Sequence, residues 1–132
     1  MATIQNPRLI IAVDPAHGKS TMIVKCKLNF LPAEISRMQN GEQFRLDCAI
    51  YTTEGNYLVE NRVFSYHSLY FPEQLPNEAE YVIFRTEMEI DPFEDMDFWE
   101  SDEIHGKLTL NNLSTGVNVP AKTNVVVHEF VS

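Results

Sequence analysis

A chain of 132 residues with formal net charge −9 repels phosphate backbones and anionic lipid, which excludes nucleic acid and bare acidic membrane as first partners. An apolar fraction of 44% supplies a core for one domain over 1–132 and argues against disorder of the whole. Two cysteines, Cys26 and Cys48, are too few for a disulfide scaffold and lack CxxC spacing.

From the N-terminus, RLIIAV (8–13) is a continuous apolar run with a β-branched bias and reads as a strand. It opens the stretch LIIAVDPAHGKSTM, whose Gly18, Lys19 and Ser20 match the end of a phosphate-binding loop. Such a loop needs a first glycine where this chain has Val13, and Pro15 removes a backbone donor from the would-be cradle. No helical pattern follows. DPAHGK is therefore expected to be a hairpin turn.

In TMIVKCKLNFL the residues Met22, Val24, Cys26, Leu28 and Phe30 share one face, with Lys25, Lys27 and Asn29 on the other. PAEISRMQNG (32–41) is the one candidate helix, stopped by Asn40-Gly41. QFRLDCAIY turns Phe44, Leu46, Cys48 and Ile50 inward, and YVIFRTEMEI does the same with Val82, Phe84, Thr86, Met88 and Ile90. LVENRVFSY (58–66) alternates less cleanly, while EIHGKLTL (103–110) puts Ile104, Gly106, Leu108 and Leu110 on one face. TNVVVHEFV (123–131), apolar on both faces for part of its length, reads as a central or doubly covered strand. The tracts QNGE, TTEGN, FPEQLPNE and LNNLSTGVNVPAK read as punctuation. About seven strands at this spacing predict an all-β antiparallel sandwich, immunoglobulin-like or C2-like.

Acidity is concentrated. Between 87 and 103 stand nine carboxylates, equal in number to the whole net charge, with no Lys or Arg between Arg85 and Lys107. An exposed acidic loop of this kind keeps a protein soluble and blunts edge pairing. It is also suited to a hard cation with oxygen ligands or to a basic partner. Within it, DMDFWESDEIHG resembles the third calcium loop of C2 domains. That resemblance implies calcium held by Asp95, Asp97 and Asp102 or Glu103, with Gly106 beginning the return strand. C2 sites also draw aspartates from a first loop, and the earlier turns here offer only Glu54. Phe98 and Trp99, an aromatic pair set among acids, are either tucked into the core or offered to a partner.

Other chemistry is thinly represented. His17, His67, His105 and His128 form no HxH or HxxxH pair, and no G-x-S-x-G or nucleophile–base spacing is present. Tyr66, His67, Tyr70 and Phe71 are expected chiefly to cap the core. Cys26 and Cys48, on inward faces of strands read as neighbours, are expected as buried thiols, with a cross-strand disulfide as the alternative. The absence of a basic n-region or an apolar run of about 20 residues leads to the expectation of a soluble, cytoplasmic protein.

The resulting expectation is a non-enzymatic binding or structural-interaction module without a cofactor. It would contact a protein partner, or self-associate as a subunit of an assembly, through Phe98 and Trp99. The alternative is a calcium-dependent C2-like domain for ligand or lipid, which would reach an anionic membrane only through the metal. A small hydrolase or lyase would need two acids facing each other across a pocket.

Overall fold

The computed structural model describes residues 1–14, 16–54, 59–89 and 102–128. In chain order its elements are β1 (Thr3–Asp14), β2 (Lys19–Asn29), α1 (Pro32–Gln39), β3 (Phe44–Glu54), β4 (Val59–Ser65) and β5 (Leu69–Phe71). Then come β6 (Ala79–Glu89), β7 (Asp102–Asn112), β8 (Asn118–Lys122) and β9 (Val126–His128). One sheet runs β1-β2-β6; the other runs β4-β3-β7-β8, with β5 added to β3 and β9 to β7. Every pairing is antiparallel. This is the immunoglobulin-like division of strands: β1, β2 and β6 stand where A, B and E stand, β3, β7 and β8 where C, F and G stand, and β4 adds a C′ strand. No described strand takes the place of D beside β6.

The period-two readings hold where they can be followed. Met22, Val24, Cys26, Leu28 and Phe30 from one sheet meet Phe44, Leu46, Cys48 and Ile50 from the other, all buried. Val82 and Phe84 join the first group, and Ile104, Leu108 and Leu110 join the second. Thr86 is half-buried, while the Met88 side chain and Ile90 lie outside the described residues. Phe30 sits edge-on to Phe44 with ring centres 5.1 Å apart, closing one end of the core. Tyr66 ties the layers together by donating its hydroxyl to the Met22 carbonyl across the sandwich at 2.8 Å.

DPAHGK is the turn of a β1–β2 hairpin, with Asp14 opposite Lys19 and Gly18 at φ +62°. Helix α1 stops at Asn40, and Gly41 takes φ +104°. At its start, Pro32 occupies the first turn and the buried carboxylate of Glu34 accepts the Leu31 N–H at 2.8 Å. The other Glu34 oxygen accepts the Ala2 N–H at 3.0 Å, so one side chain anchors both the helix and the N-terminal segment.

Three expectations change. The tract LNNLSTGVNVPAK contains β8, which the proline concealed. Pro120 is tolerated because β8 lies at the end of the sheet order, where a missing N–H is lost only from the open side. The described part of 123–131 is not a central strand: β9 covers Val126–His128 and, among the described residues, pairs only with Asp102–Ile104 of β7. Cys26 and Cys48 are not strand neighbours but sit in opposite sheets, both as thiols. Burial pushes Cys26 up to about 11. Burial, with Cys26 beside it, takes Cys48 to about 12, so neither is a nucleophile near neutrality.

Candidate docking surface

A sandwich has four strand edges to manage, and an unmanaged edge is a template for another chain. Three of the four are blunted here. Strand β1 is broken between Gln5 and Arg8 by a register shift, with Asn6 at φ +50° and Pro7 next in line. Its Leu9 is then sealed by Asn124, which accepts the Leu9 N–H at 2.7 Å and donates to the Leu9 carbonyl at 3.2 Å. Strand β4 is short and carries a bulge, with Ile50 opposite Phe64 but Tyr51 opposite Arg62. Strand β8 has five residues and includes Pro120.

Strand β6 has none of these devices. Its 11 residues pair with β2 without a break, from Lys19–Glu89 to Asn29–Ala79, and no described strand covers its other side. Its outward residues are Tyr81, 79% exposed, and Ile83, 61% exposed, followed by Arg85 and Glu87. Lys27 lies beside Tyr81, its Nζ 5.6 Å from the ring centre, and Lys25 is opposite Ile83. On the next strand over, Arg8 and the 39% exposed Ile10 continue the face. The outer face of the three-stranded sheet thus carries apolar groups together with Arg8, Lys25, Lys27 and Arg85, the last paired with Glu87 at 3.2 Å where the acidic stretch begins.

The opposite sheet carries a polar array on its outer face. Tyr51 on β3 is paired across the strands with His105 on β7, their rings stacked with centres 6.0 Å apart. Lys107 stands 4.8 Å from the Tyr51 ring centre and donates to Glu60 of β4. Glu60 also lies 3.2 Å from His105 Nε2, near enough to pair but off hydrogen-bond alignment, and 3.9 Å from Lys122. Burial holds the His105 imidazole below its ordinary pKa. The Glu60 carboxylate opposes that shift, and Lys107 and Lys122 reinforce it. The Lys107 hydrogen bond in turn holds Glu60 below the usual carboxylate range.

Glu60, Glu103 and His105 line an open depression of about 490 Å³. Two acids share this hollow, Glu60 with its carboxylate held by Lys107 and Glu103 exposed. The two lysines of the array are drawn to the one carboxylate, while the buried His105 Nε2 makes no hydrogen bond among the described residues.

His105 supplies a pH test. An imidazole harder to protonate folded than unfolded contributes stability that is complete above its ordinary value of 6.5 and is lost as pH falls toward the folded value. Melting temperature should therefore drop on acidification below 6.5 more steeply in the native chain than in His105→Gln. Parallel profiles from thermal melts across that range would refute the assignment.

Of the residues singled out by sequence, Asp95, Asp97, Phe98 and Trp99 lie outside the described residues. Asp102 and Glu103 open β7, opposite His128 and Val127, and Glu103 is exposed. Gly106 is therefore inside that strand and does not begin it. Among the described residues no group of three His, Cys, Asp or Glu side chains could hold a metal ion. Of the aromatic tract, Phe71 is buried and Tyr66 is half-buried, while His67 and Tyr70 are exposed. What sequence reading missed is the β6 edge. Tyr81 and Ile83 at outward positions of an alternating strand were the available signal, since a solvated face rarely places two large apolar groups in succession.

Among the described residues no helix is long and apolar enough to cross a membrane. No family model matches the chain, and no curated protein matches it. Among solved structures it is similar to a protein from Bordetella pertussis described under the name ApaA, with 9% identity, a TM-score of 0.39, and coverage of 98% of this chain and 92% of that one. It is also similar to the structural-genomics target SoR45, with 12% identity, a TM-score of 0.41, and coverage of 96% of this chain and 84% of that one. Likeness this distant says nothing about what the chain does.

Proposed function

We propose that the chain is a non-enzymatic interaction module, a subunit of an assembly of its own copies, joined through the β6 edge and the adjoining outer face. The carrying observation is the contrast among edges: three are bulged, short or capped, whereas β6 offers 11 unbroken residues with Tyr81 and Ile83 exposed. Main-chain groups on such an edge supply attraction, and alternating side chains supply selectivity. The buried thiols, both pushed up by burial, favour binding over catalysis.

An edge contact of this kind falls at the small end of specific interfaces, so association in the micromolar range is expected. Sedimentation velocity from about 1 µM to about 500 µM should show a sedimentation coefficient that rises with concentration. A monomer across the whole range would overturn the proposal.

A further inference from the structure

We infer that two copies pair β6 against β6 in antiparallel fashion, about a two-fold axis through Ile83; this rests on the docking surface proposed above. The geometry leaves few alternatives. Opposed residues in a sheet share a face, so only registers that set odd positions against odd positions keep Val82 and Phe84 over the core of each copy. Both are 4% exposed, and a one-residue slip would place them opposite the solvent-facing set.

Among the allowed registers, centring on Ile83 sets Ile83 against its own symmetry mate and Tyr81 against Arg85. It also sets Ala79 against Glu87 and, on the inner face, Val82 against Phe84 and Glu80 against Thr86. Apolar meets apolar, a cation meets an aromatic face, and no like charges are opposed. Centring on Phe84 would lay Ile83 against Arg85 and Tyr81 against Glu87, losing both matches. Centring on Val82 would press Glu80 onto Phe84.

The direction follows from the charge map. The acidic stretch 87–103 begins at the C-terminal end of β6. Antiparallel pairing sends the two stretches to opposite ends of the joint, roughly 33 Å apart for strands of this length. Parallel pairing would set the two C-terminal ends of β6, where these stretches begin with Glu87 and Glu89, beside each other. The two-fold arrangement also closes on itself, giving a dimer with one continuous six-stranded sheet and β1 at each margin instead of an open fibre.

Disulfide trapping tests the register. Residues directly opposed across antiparallel strands have Cα atoms about 4.5–5.5 Å apart, within the span of a disulfide. Ile83→Cys should therefore oxidise to a covalent dimer under mild conditions, because position 83 faces itself. Glu87→Cys, expected opposite Ala79, should stay monomeric under the same oxidant. The native Cys26 and Cys48 are buried and serve as the unmodified background. Ile83 is exposed, so folding of its variant is readily checked by far-UV circular dichroism. Trapping at 83 but not at 87 supports the register. Equal trapping at both positions, or trapping at 87 alone, overturns it. A dimer in sedimentation with no trapping at 83 overturns the register and leaves the docking proposal standing; no dimer at all overturns both.

Discussion

Truncating Leu108 to alanine is expected to destabilise the fold by about 2–5 kcal/mol, with no change in the denaturant slope. Leu108 is 1% exposed and lies on β7, the strand flanked by β3 on one side and β8 on the other. Its cross-strand partners are Cys48 and Ala121, both small, so neither can swing into the space left behind. A cavity there would persist, and the cost of Leu→Ala grows with the cavity that remains. Urea unfolding of Leu108→Ala beside Ile83→Ala makes the contrast: the exposed edge residue should cost within about 1 kcal/mol. Equal losses at the two sites would mean that the packing side of β7 has been misassigned.

Gly106 on the same strand should be nearly as intolerant, for the opposite reason. A Cβ at this position would meet Thr123 Cγ2 at 3.0 Å, Thr123 Oγ1 at 3.4 Å and Val24 Cγ2 at 3.5 Å. Thr123 cannot give way freely. Its hydroxyl accepts the Gly106 N–H at 2.7 Å and donates to the Asn124 carbonyl at 2.8 Å, while its own N–H bonds the Gly106 carbonyl at 2.9 Å. Asn124 is in turn the residue that seals Leu9, so a push on Thr123 reaches the β1 edge. Gly106→Ala is expected to cost about 1–3 kcal/mol, and Gly106→Val more, since it adds two methyl groups to the same crowded space. The double variant Gly106→Ala/Thr123→Ser removes the clashing Cγ2 and keeps the hydroxyl. It should be more stable than the sum of the two single changes by at least about 0.5 kcal/mol. Strict additivity in chemical denaturation would contradict the clash.

These two positions also show how far the sequence could be read. Leu108 and Gly106 fall on the inward face by simple alternation, and that face was legible because a half-buried strand writes its burial into every second residue. The close approach of Thr123 was not legible: it depends on the chain returning past β8, 17 residues on, through a stretch whose proline reads as loop. The same limit hid β8. His105 sits at an outward position, yet it is 6% exposed, because Tyr51 stacks on it and Glu60 lies beside it from other strands. No local pattern carries that information. The Asn124–Leu9 seal joins residues 115 apart in sequence, and only the fold reveals which edges are sealed and which, among the described residues, is uncovered. The hairpin at DPAHGK, by contrast, was decided locally by Val13, Pro15 and the alternating strand after Ser20.

The sequence points first to a contact surface in the acidic stretch around Phe98 and Trp99. The described residues add a second surface, and the two overlap in the chain: the acidic stretch begins at Glu87, within β6. In the proposed dimer, repulsion between copies is held down by distance, so raising salt should strengthen association only modestly. A joint built chiefly on charge would respond much more strongly.

Hydrogen–deuterium exchange of the β6 amides, followed at low and high protein concentration, bears directly on the proposed edge. Segment 79–89 should become slower to exchange as concentration rises, while the bulged edge strand β4, 59–65, should exchange at an unchanged rate. Protection that grows at β4 and leaves β6 unaltered, or that grows nowhere while the protein associates, would contradict docking at this edge.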